Sequence, residues 1–120
     1  DAVTPETYKI TRRGGDWDLL MKNLEFINTI DTIQYVIFSF VVQNANYKEL
    51  LKIHELKKKL SNHKVKVQYY KVLNWGNLTD EQYEEKAVWK KGHPNYSEFE
   101  TIWKQMLKET NSLHTLQGVV

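Results

Sequence analysis

Eleven consecutive residues, Ile33 to Gln43 (IQYVIFSFVVQ), carry no charge and almost no polar alternation. β-Branched and aromatic side chains suit a pleated strand, and a strand without alternation is expected to be buried on both faces, as in a parallel sheet. A second strand is expected over residues 65 to 74 (VKVQYYKVLN), with Val65, Val67 and Tyr69 facing one way and a less regular end at Tyr70, Val72 and Leu73. Between them Leu50, Ile53, Leu56 and Leu60 form an apolar stripe. That stripe predicts a helix over 47 to 60, with Asn46 as its cap and Glu49 at the third helical position. Strand, helix and strand make a βαβ unit, whose strands run parallel and whose crossover is right-handed.

The flanks read as helices. Thr4 and Pro5 supply an N-cap and a first helical residue, and Gly14-Gly15 ends that short helix. Asp16 caps a second helix, expected over 17 to 30, in which Trp17, Leu20, Leu24 and Ile27 share a face. Thr79 and Gln82 form a capping box that opens a helix through about Val88. After Gly92-His93-Pro94, Asn95 caps a last helix with Tyr96, Phe99, Ile102, Trp103 and Met106 on one face. The order is α-α-β-α-β-α-α, an α/β arrangement expected to form one unit over 1–110 with a frayed tail over 111–120. Two strands alone leave rows of backbone groups unpaired, so the chain is expected to associate with itself or to belong to a larger sheet.

The chain has no cysteine, which excludes disulfides, thiolate zinc sites, a chain-held iron–sulfur cluster and a Cys nucleophile. Its 17 basic and 15 acidic residues are interleaved, which argues against nucleic acid as a partner. Lys57-Lys58-Lys59 suits the negative end of a helix. The longest apolar stretch, Tyr35 to Val42, is too short to cross a bilayer, so no membrane partner is expected, and no signal-like segment opens the chain. A cytoplasmic location is the default. His54, His63, His93 and His114 lack ligand spacing, so no metal site is nominated. Asp80, Glu81, Glu84 and Glu85 complement a helix N-terminus, and no catalytic residue is nominated.

Parallel α/β sheets bind ligands beyond the carboxyl ends of their strands. That rule selects Gln43-Asn44 and Asn74-Trp75. Amide side chains donate and accept at once, which suits a ribose, a carboxylate or a base edge, while the same amides also stabilise turns. Trp75 reads either as a stacking platform or as a core residue at the rim of the sheet, and Gly76 as a positive-φ turn residue. Arg12 and Arg13, followed by two glycines, offer a guanidinium for a carboxylate or a helix end matched to its dipole.

Taken in order, the segments DAVTPETYKITRRGGDWDLLMKNLEFI, FSFVVQNANYKELLKIHELKKKL, VQYYKVLNWGNLTDEQYEEKAV and HPNYSEF resemble the second half of the barrel of radical S-adenosylmethionine enzymes, the SPASM or twitch subgroup especially. The resemblance covers about residues 1 to 108. It implies a partial TIM-barrel fragment, with Asp1 ending the fourth strand and Arg12 or Arg13 near the methionyl carboxylate of S-adenosylmethionine. It further implies Gln43 and Asn44 after the fifth strand, Val72 and Leu73 against adenine, and Asn74 and Trp75 at the barrel mouth. The family's C-x-x-x-C-x-x-C motif and its Gly-Gly-Glu-like segment are absent. The 4Fe-4S cluster would therefore belong only to a full-length parent, and this chain would be inactive alone. The expected partner is an amino-terminal half-barrel or a second copy, and the alternative function is a free-standing, self-associating interaction domain. On this reading Arg12→Ala and Asn74→Ala are expected to leave stability nearly unchanged.

Overall fold

The computed structural model describes residues 1–110, and the expected tail lies outside the described residues. Helix α1 spans Pro5–Thr11, where the Thr4 side chain accepts the Thr7 N–H at 3.3 Å and Pro5 occupies a position that needs no donor. Helix α2, Trp17–Asn28, is capped by Asp16, which accepts the Leu19 N–H at 3.0 Å. Strands β1 (Tyr35–Val42) and β2 (Lys64–Lys71) run parallel, with Tyr35 opposite Lys64 and Phe40 opposite Tyr69. Helices α3 (Ile53–Lys57), α4 (Asp80–Lys86) and α5 (Tyr96–Glu109) complete the order. Both strands are shorter than their apolar stretches, although Val72 still donates its N–H to the Val42 carbonyl at 3.2 Å.

The expected helix over 47 to 60 is three short pieces: a 3-10 segment Tyr47–Lys52, then α3, then a 3-10 turn Lys58–Leu60. The reason lies in spacing. Buried Tyr47, Leu50 and Ile53 are three apart, the repeat of a 3-10 helix, so burying all three tightens the winding. The expected caps at Asn46 and Asn95 do not form either. Asn46 is buried and serves the strand instead: its Oδ1 accepts the Gln43 N–H at 2.9 Å, and its Nδ2 donates to the carbonyls of Asp1 and Val41 at 2.9 and 2.7 Å. Glu49 reaches the Val3 N–H and the Thr4 hydroxyl rather than its own helix start.

One face of the sheet builds the core. Phe40, Val42, Val67 and Tyr69 meet Tyr47, Leu50 and Ile53 and, from α5, Phe99 and Met106. Aromatic rings link the layers: Phe40 lies 6.4 Å from Tyr69, Tyr69 stands edge-on to Trp103 at 5.2 Å, and Tyr47 edge-on to Phe99 at 6.3 Å. Such edge-to-face contacts match ring quadrupoles and fix the helix over the strands. The other face corrects the expectation of burial on both sides. Tyr35, Ile37 and Ser39 of β1 and Lys64 and Lys66 of β2 are exposed there, because the packing helices gather on the opposite face.

Candidate functional site

The carboxyl ends of the two strands open onto a cleft of about 790 Å³. Five residues singled out from the sequence line it together: Arg13, Gln43, Val72, Leu73 and Trp75. Gln43 follows β1 directly and is 8% exposed. Its backbone N–H is held by Asn46, while its side-chain amide has no hydrogen-bond partner among the described residues. A donor–acceptor pair is thus left at the floor of the cleft.

The turn after β2 is set by Asn74. Its Oδ1 accepts the N–H groups of Gly76 and Leu78 at 2.9 and 3.3 Å, and its Nδ2 donates to the Leu78 carbonyl at 3.0 Å. Gly76 sits at φ +90, a conformation that side chains with a Cβ rarely adopt. This fixed turn points Trp75 outward at 79% exposure, which corrects its reading as a core residue. A small recess beside it is walled by Leu73, Asn74, Trp75 and Tyr83.

Three of the expected residues do not line the main cleft. Arg12 Nε pairs with Asp1 Oδ2 at 3.0 Å, and Asp1 Oδ1 accepts the Val41 N–H at 2.8 Å, so this guanidinium holds the sheet edge. Asn44 donates from Nδ2 to Glu85 at 2.8 Å and accepts from Asn95 at 2.9 Å, tying β1 to α4 and to the start of α5. Asn74 is spent on its turn. Arg12 and the two asparagines position the walls of the cleft rather than its contents.

The sequence reading assigned eight further lining residues to no site, Ile10, Glu81, Glu85 and Lys86 among them. The signal was available. Thr79 and Gln82 form the expected capping box, so residues 81 and 85, and 82 and 86, lie one turn apart on one face of α4. Arg13 and Lys86 form no ion pair among the described residues, and neither does Glu81, so the cleft offers unpaired charge of both signs. His93 is structural: Nδ1 accepts the Asn95 N–H at 3.0 Å, and Nε2 donates to the Glu85 carbonyl at 2.7 Å. Among the described residues no group of three His, Cys, Asp or Glu side chains is placed to hold a metal ion, and no helix is long and apolar enough to cross a membrane. Compared with protein-family models, curated proteins and solved structures, the chain matches none of them.

Proposed function

We propose that the chain is the carboxyl-terminal part of a partial TIM barrel of the radical S-adenosylmethionine kind, and that the cleft is its share of the cofactor site. Gln43 carries this reading. The side-chain amide of a residue only 8% exposed, without a partner among the described residues, stands at the carboxyl end of a parallel strand, where α/β sheets receive ligands. S-adenosylmethionine bears a carboxylate, cations and a planar base, and the cleft holds counterparts for each. Arg13 would take the carboxylate, since Arg12 is engaged with Asp1. Glu81 would face the ammonium group, Val72 and Leu73 the adenine, and the Gln43 amide a ribose or base edge, with Trp75 at the mouth.

The 4Fe-4S cluster does not fit this chain, because thiolates hold such clusters and the chain has no cysteine. Reductive cleavage of the sulfonium is chemistry that the cofactor supplies only with a cluster, so this chain orients and shields without performing that step. An amino-terminal half carrying the cysteine triad is the partner that would complete the site. Cytoplasmic residence goes with this reading, since thiols stay reduced there.

Titration of the 120-residue chain with S-adenosylmethionine, followed by two-dimensional NMR, tests the proposal. Weak binding is expected, with shifts at the Gln43 side-chain amide and the Trp75 indole. Unchanged spectra at millimolar cofactor would defeat it.

A second reading, a self-associating interaction domain, is favoured by one observation: β1 leaves an uncharged edge and Tyr35 and Ile37 uncovered.

A further inference from the structure

We infer that two copies of this chain join their sheets along the outer edge of β1, antiparallel about a twofold axis at Ile37; the inference rests on the second reading above. Along a strand, the N–H and C=O of one residue point to the same edge, and successive residues point to opposite edges. The Val42 carbonyl accepts from Val72 beside β2, so even-numbered residues of β1 face β2. Val41 faces outward: its N–H meets Asp1 Oδ1 at 2.8 Å, and its carbonyl meets Asn46 Nδ2 at 2.7 Å. Tyr35, Ile37 and Ser39 therefore also face outward, and nothing among the described residues pairs those backbone groups.

Exposed edges are ordinarily guarded by charge, proline or a covering element; β1 carries neither charge nor proline, and at Ile37 and Ser39 it opens onto a recess of about 200 Å³ walled by Tyr8, Leu20 and Leu24. The edge is also its own complement. With Ile37 opposite Ile37 of a second copy, Tyr35 falls opposite Ser39, and every outward N–H meets an outward carbonyl. On the open face this seam sets Ile37, 43% exposed, against its counterpart and Tyr35, 52% exposed, against Ser39 of the second copy. Lys64 and Lys66 stand on β2, across β1 from the seam, and Lys66 Nζ reaches over the Tyr35 ring at 5.2 Å, where the π face offsets its charge. The Asp1 and Asn46 side chains close the edge at Val41 and limit the ladder to Tyr35–Ser39. An amino-terminal half-barrel would claim the same edge, so the 120-residue chain alone is the form to measure.

Sedimentation equilibrium of the wild type, Ile37→Pro and Ile37→Lys tests the seam. Proline at 37 removes an outward N–H that the ladder to β2 does not use, while lysine places two cations on the axis. The wild type is expected to dimerise, and each variant to weaken the dimer by about tenfold or more with unchanged circular dichroism. In the wild type, the amides of Ile37 and Ser39 should gain exchange protection as concentration rises, a readout that needs no variant. A monomer at every concentration overturns the inference and the second reading together. A dimer indifferent to both substitutions, or without that protection, keeps self-association and overturns this edge.

Discussion

Glu49 accepts the backbone N–H of Val3 at 2.7 Å across 46 residues of sequence, and its other oxygen takes the Thr4 hydroxyl at 2.5 Å. One buried carboxylate thereby fastens the opening segment to the connection between the strands. Hydrogen bonds to a charged group contribute about 1.5–3 kcal/mol, so Glu49→Ala is expected to lower unfolding free energy by roughly that much. Urea titration measures it. A variant as stable as the wild type would show that the segment is held by its apolar contacts alone.

Gln43 and Asn74 should behave oppositely. Asn74 makes three hydrogen bonds within its turn, which corrects the expectation that Asn74→Ala is neutral; a loss of about 1 kcal/mol is expected. Gln43→Leu removes an amide that makes none among the described residues, so stability should hold within about 1 kcal/mol or rise while cofactor-induced shifts disappear. Thermal melts paired with the NMR titration separate the two. Equal destabilisation by both would assign Gln43 a structural role.

Alkaline pH should unfold the protein through two tyrosines. Burial, then the hydrogen bond to Glu98, pushes the Tyr47 hydroxyl from about 10 up to about 12, and burial does the same for Tyr69. A folded value above the unfolded one gives stability that is whole below pH about 10 and lost as pH climbs toward about 12, because the unfolded chain releases these protons first. Urea midpoints should fall within that window. Tyr47→Phe should flatten the fall.

Phe40 is buried between the sheet and the helix layer, so Phe40→Ala is expected to cost about 3–5 kcal/mol. Phe38, only half-buried against the same core, should cost less. Denaturant midpoints of the two variants give the comparison, and a larger loss at Phe38 would mean that its end of the core is covered further in solution.

Features that close over three or four residues were readable from the chain. The caps at Thr4 and Asp16 and the box between Thr79 and Gln82 are satisfied by donors a turn away, so local sequence encodes them. The parallel pairing followed from strand, helix and strand with the same economy. What local sequence did not reveal depends on distant partners. Asn46 is drawn from its cap position by Asp1, 45 residues away, and Asn95 lies with Asn44, 51 residues away. Likewise Arg12 was diverted from the cleft by Asp1. The three-residue repeat of Tyr47, Leu50 and Ile53 was in plain view, yet an apolar stripe of period 3 resembles one of period 3.6 over so short a span.

The side chains of Asp1 and Asn46 stand in for a neighbouring strand at Val41, the last outward rung before the cleft. Any ribbon laid along β1 must stop there. Growth of the sheet and entry of a small molecule at the strand tips are therefore separate events, and a larger assembly would keep its doorway clear.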